Sequence, residues 1–147
     1  MIKVRTSAWV PGTPEEVFAF FDDPDNMLEF TLGAQRIIRM ERAPDGRLRY
    51  AVAMLSDYGK EFPVEVEQLV RNPPRHLTTR SHTSGFTATN ARDFEPENGG
   101  TRVTSLFAGQ IHRRFLRPLM EFLQRDRTRL EAEAIMQAVV ERFAARQ

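Results

Sequence analysis

The sequence predicts an α+β fold in which a seven-stranded, curved antiparallel sheet wraps one long C-terminal helix, with two short helices between the first and second strands. Three observations carry this. Ile2 to Val10 and then six segments between Ala34 and His112 read as strands joined by short turn signals, and short connections favour antiparallel neighbours. Arg114 to Arg146 is the one stretch long enough for a helix of about eight turns. Within it Leu116, Leu119, Met120, Leu123, Leu130 and Ala134 share a face at about 100° per residue, the pattern of a helix lying on an apolar surface.

Each element has its own signal. Ile2, Val4, Thr6, Ala8 and Val10 alternate with Lys3, Arg5, Ser7 and Trp9, the period of a two-faced strand, and Pro11-Gly12 stops it. Thr13 is placed as an N-cap, Pro14 suits the first helical position, and Glu15-Glu16 favour the positive end of a helix running to about Asp22. Asp23-Pro24 breaks that helix and opens a second, to Phe30. Ala34 to Arg42 and Arg47 to Ser56 form a hairpin about Pro44-Asp45-Gly46. Glu61 to Arg71 ends at Pro73-Pro74, which cannot donate to a sheet ladder. Arg75 to Thr83, Phe86 to Glu95 and Thr101 to His112 complete the meander, and Pro118 is tolerated near the start of a helix beginning at Arg114 to Arg117. A twisted sheet of this size curls, one face can be wet, and only the C-terminal helix is long enough to cover the other.

A chain of 147 residues predicts one domain, spanning residues 1–147. Its net charge of +1 lacks the electrostatic footprint of a nucleic-acid binder. Without cysteine there is no disulfide framework, thiolate nucleophile or Cys-based zinc site, and the remaining metal candidates, His76, His82 and His112, show no supporting cluster in the sequence. No cofactor and no metal are therefore expected. Neither a signal peptide nor a transmembrane run is visible, so the expected location is cytoplasmic, without integral membrane association.

With the elements in this order, the chain resembles the START-like superfamily, also called SRPBCC. Val10-Pro11-Gly12-Thr13-Pro14-Glu15-Glu16-Val17-Phe18 is similar to that superfamily's opening run, and Asp23-Pro24 to Phe30 is similar to its second short helix, with Phe30 where a Trp is frequent. Arg71-Asn72-Pro73-Pro74-Arg75-His76-Leu77 and Phe94-Glu95-Pro96 through Gly100-Thr101-Arg102-Val103-Thr104 resemble its strand-turn-strand signals. The resemblance covers essentially the whole chain. It implies the helix-grip fold and a cavity between sheet and helix, as in lipid-transfer START domains, birch-pollen allergen relatives and polyketide cyclase/dehydrase-like proteins. The matching motifs are turns, caps and core positions, so they carry fold more than chemistry.

Strand parity then assigns the lining. Leu48, Tyr50, Val52 and Met54 face inward, with Phe62, Val64 and Val66 on the next strand and Leu77, Thr79 and Ser81 on the one after. Phe86, Ala88, Asn90, Arg92 and Phe94 follow, then Val103, Ser105 and Phe107; the helix adds Leu116, Leu119, Met120 and Leu123. A mostly apolar lining with a few polar groups is how small-molecule pockets are composed. Asn90 and Arg92 are the exceptions, and Asp126 falls in the helix sector of Leu119 and Leu130. Three readings of Arg92 stand open: an ion pair with Asp126 across the gap that fixes how the helix docks, an anchor for a ligand carboxylate, enol or phenol oxygen, or a register error that leaves it in solvent. His82 shares parity with His76 and Arg80, the solvent side.

Ile135, Met136, Val139, Val140 and Phe143 turn away from the Leu116 to Ala134 face, so either the helix bends near Glu131 or this end packs elsewhere, a homodimer partner included. Three functions stand open. The first is binding of a small or medium hydrophobic molecule (lipid, isoprenoid, aromatic or polyketide-like) as carrier, sensor or protector. The second is a polyketide cyclase/dehydrase-like enzyme with acid–base groups among Arg92, Asp126 and Tyr50. The third is a chaperone-assisting interaction module using the Ile135 to Phe143 stripe.

Overall fold

The structure, a computed structural model, describes residues 1–56, 58–112 and 117–146, with side chains for all of these except 117–124. Strand β1 (Ile2–Val10) leads into α1 (Pro14–Asp22) and α2 (Pro24–Phe30). Then come β2 (Ala34–Arg42), β3 (Leu48–Leu55), β4 (Glu61–Asn72), β5 (His76–Thr83), β6 (Phe86–Glu97), β7 (Gly100–Ile111) and α3 (Arg117–Ala144). The helix boundaries follow the local chemistry: Thr13 Oγ1 accepts from the Glu16 N–H at 3.2 Å and Asp23 Oδ1 from the Asp25 N–H at 3.0 Å, each cap followed by proline.

All neighbours are antiparallel, in the order β1-β7-β6-β5-β4-β3-β2. The chain enters at one edge, and its two short helices carry it to the other. In doing so α1 packs against β5, β6 and β7, and α2 against β2. The register puts Tyr50 opposite Val66, Val66 opposite Ser81, Ser81 opposite Ala88, and Ala88 opposite Gly109, so the whole inward set lies on one concave face. Bulges at Gln35 and Ile38 interrupt the pairing of the edge strand β2, which discourages edge-to-edge association.

The core lies at one end of that face. Val10, Leu77, Phe94 and Val103 from the sheet meet Val17, Phe18, Phe20 and Phe21 from α1, and Met136, Val139 and Phe143 from α3. Edge-on ring pairs bind the layers: Phe18 to Phe94 and Phe20 to Phe143, each at 5.4 Å between centroids. The turn after β1 is pressed against α3, since a Cβ on Gly12 would stand 2.8 Å from Phe143 Cδ1.

This packing corrects two expectations about α3. Its C-terminal half buries Met136, Val139 and Phe143, and exposes Leu130 (67 %), Ala134 and Asp126. The two sets lie about half a turn apart at 100° per residue, and the bulkier one fits beneath α1. Since those three residues lie inside the protein's own core, they offer no surface to a homodimer or to a client. The expected contacts of Leu116, Leu119, Met120 and Leu123 fall outside the described side chains.

The convex face is held by charge. Ala51 and Ala53 of β3 are buried although they point outward. They are small enough for Arg39 of β2 to reach Glu65 of β4 across Ala51, and for Arg36 to reach Glu61. Glu67 sits between Arg49 and Arg80 in the same way. Such pairs are mostly exposed and individually contribute little, about 0–1 kcal/mol.

Candidate ligand site on the concave face

Exposure rises steadily along the concave face. On β3 it runs from Leu48 (2 %) through Tyr50 (8 %) and Val52 (9 %) to the partly open Met54; on β4 it runs from Gln68 (5 %) through Val66 and Val64 to Phe62 (36 %). Among the described residues, α1 covers one end, and toward the other the apolar side chains of β3 and β4 become more exposed. Leu28 of α2 and Ile37 of β2 pack beside the buried Leu48, Tyr50 and Val52.

The covered end carries a polar floor. Asp22, the last residue of α1, takes two bonds from Arg71, with Nη2 at 2.9 Å from Oδ2 and Nε at 3.2 Å from Oδ1. Gln68 Nε2 donates to Asp22 Oδ1 at 2.7 Å, and Gln68 Oε1 accepts from the Leu48 N–H at 2.8 Å. Hydrogen bonding to Asp22 raises the Arg71 pKa further above its ordinary value. The network pins the helix end to β3 and β4.

Above it lies Arg92. It faces inward between Leu77 and Ser105, its guanidinium carbon 4.7 Å from the centroid of Phe21, and its Nε is buried without a hydrogen-bond partner. The residue as a whole is half-buried, and its charged group is the strongly desolvated part. Burial lowers its pKa from 12.5 to about 10, the neighbouring Tyr50 acting the other way, and it remains fully charged at neutral pH. Among the described residues no carboxylate makes an ion pair with it, and Asp126, the partner expected from the sequence, lies on the exposed side of α3 instead.

Tyr50 is the second polar group. Burial lifts its hydroxyl to about 12, with Arg92 pulling down and Asp22 pushing up, so it is a neutral donor at any physiological pH. Ser105 Oγ donates to Asn90 Oδ1 at 2.6 Å on the row beside Arg92. Thr79 and Ser81 share the face, partly buried, as do Phe86 and Phe107. The strands therefore bring Tyr50, Val52, Met54, Phe62, Val64, Val66, Asn90, Arg92 and Ser105 to one surface.

Three residues important to the floor escaped the sequence reading. Gln68 continues the parity of Val64 and Val66, so a polar residue on that face was a usable signal. Arg71 was not readable, because the irregularity between Gln68 and Val70 shifts it onto the concave face. Asp22 was visible only as the end of α1, with nothing in sequence spacing to show that Gln68 and Arg71 converge on it.

The family described as polyketide cyclase / dehydrase and lipid transport matches residues 1–147. No curated protein matches the chain in sequence. Among solved structures, the Thermus thermophilus protein TTHA0849 is similar at a TM-score of 0.78 and 18% identity, over 99% of both chains. The di-domain ARO/CYC StfQ from the steffimycin biosynthetic pathway is similar at 0.78 and 13%, over 99% of this chain and 52% of its own. Ms6760 from Mycobacterium smegmatis is similar at 0.68 and 14%, over 99% of this chain and 93% of its own. At such identities the likeness is one of fold.

Proposed function

The chain belongs to the polyketide cyclase / dehydrase and lipid transport family, and on that footing we propose that it binds one small or medium hydrophobic molecule on its concave face as carrier, sensor or protector. The ligand carries an acidic or enolic oxygen beside its apolar body. The observation that supports this is Arg92, a buried cation with an unbonded Nε on an otherwise largely apolar surface. A charge without a partner is expensive to keep in a core, and a ligand oxygen would supply the missing bond. Tyr50 would donate to a neighbouring oxygen, and the row from Val52 to Phe62 would hold the apolar part.

What supports carriage is that the two polar groups nearest the apolar row, among the described residues, are donors. Tyr50 and Arg92 are both donors, able to stabilise an enolate but not to take the α-proton that a cyclase must remove. Asp126, which was to supply that base, is exposed. No helix among the described residues is long and apolar enough to cross a membrane.

Native mass spectrometry of freshly purified protein, with extracted molecules identified by chromatography, tests the reading. A co-purifying lipid, isoprenoid or aromatic acid that binds Arg92→Met at least about tenfold more weakly, a loss of about 1.4 kcal/mol, is expected. No adduct, with no melting shift across a panel of hydrophobic acids, would sink it.

A further inference from the structure

We propose that the convex face carries a binding site for a divalent transition-metal ion, built from His82 and His112 around Thr87. The two histidines are far apart in sequence, and the sheet register brings them together. His82 lies opposite Thr87 across β5 and β6, Thr87 lies opposite Gln110 across β6 and β7, and His112 follows β7 with the parity of Gln110. The backbone fixes the arrangement, since the His112 N–H donates to the Gly85 carbonyl in the β5–β6 hairpin at 2.9 Å.

Both rings aim one nitrogen at the same atom. His82 Nδ1 is 3.1 Å and His112 Nε2 is 2.8 Å from Thr87 Oγ1. A hydroxyl has one proton and can satisfy only one imidazole lone pair, so the other ring must turn an N–H toward it. A cation could take the place of that hydrogen-bonded bridge, because it accepts lone pairs from both rings at once. Imidazole is a ligand these ions favour, and both side chains are exposed, so their rings are free to turn toward an ion held about 2.0–2.1 Å from each nitrogen. Water and the Thr87 hydroxyl would complete the coordination. Glu65, opposite His82, is ion-paired with Arg39. His76 is a built-in control, because it lies on the same face with different partners, Asp93 at 2.7 Å and Thr78 at 2.6 Å.

The test is calorimetric titration of the untagged full chain with Cu²⁺, Ni²⁺ and Zn²⁺ salts. One ion per chain is expected, with Cu²⁺ tightest. His82→Gln and His112→Gln should each weaken binding at least about tenfold, while His76→Gln leaves it unchanged. The histidine ring signals in NMR should shift for residues 82 and 112 and not for 76. Absence of binding, affinity indifferent to both substitutions, or an equal loss in His76→Gln would overturn the proposal. Circular dichroism melts of the three variants separate a lost ligand from a lost fold.

Discussion

The guanidinium carbon of Arg92 lies 4.7 Å from the centroid of Phe21, and that ring is the partner the fold gives it in place of a carboxylate. A desolvated cation–π contact is worth about 2 kcal/mol, against a burial penalty of several. Arg92→Met keeps the volume and removes the penalty. The variant should be more stable by about 1–2 kcal/mol in urea denaturation while binding ligand less well. A loss of stability would mean that the cation is compensated in the empty protein.

Tyr50 gives an optical test. Of the two tyrosines, Tyr58 is 95 % exposed and Tyr50 is buried. In Tyr58→Phe, tyrosinate absorbance should be absent at pH 10 and rise only near 12. A raised phenol pKa contributes stability that is complete below pH 10 and lost as pH climbs from 10 to about 12. The lowered pKa of Arg92 works in the opposite sense over the same window, so absorbance rather than melting is the measure.

The floor should be intolerant of losing its carboxylate. Asp22→Ala leaves Arg71 and Gln68 facing a part-buried void, and a cost of about 2–3 kcal/mol is expected, less than for a fully buried pair because Arg71 keeps some solvent. Denaturant midpoints of Asp22→Ala and Arg71→Ala, with the double variant to close the cycle, measure the coupling.

Gly100 begins β7 beneath the Trp9 ring, which is held there by its indole N–H donating to the Glu97 carbonyl at 2.7 Å. An added Cβ would stand 2.5 Å from the Val10 carbonyl oxygen and 2.6 Å from the indole. Gly100→Ala should therefore destabilise by about 1–3 kcal/mol, visible as a lower melting temperature and altered Trp9 fluorescence.

The facing of α3 can be tested from both sides. Phe143→Ala should cost about 3–5 kcal/mol and Leu130→Lys no more than about 0.5. That contrast also shows what the sequence could and could not carry. The parity of the regular strand stretches was legible because side chains alternate there, and a slip would have exposed a set such as Leu48, Tyr50 and Val52. The helix held two apolar stripes about half a turn apart, and periodicity has no means of ranking them. The choice rests on the fit of Met136, Val139 and Phe143 beneath Phe20, a contact between distant segments. Arg71 was hidden for a similar reason, since one irregularity in β4 reverses parity beyond it.

The gradient of exposure along β3 and β4 separates what holds the protein together from what it presents. Leu77, Phe94, Val103 and Phe143, almost without solvent, gather at the covered end, while Met54, Phe62 and Val64 contribute little to that cluster. Substitutions at the more exposed end can thus reshape that surface at small thermodynamic cost, and a lineage could vary it without refounding its core.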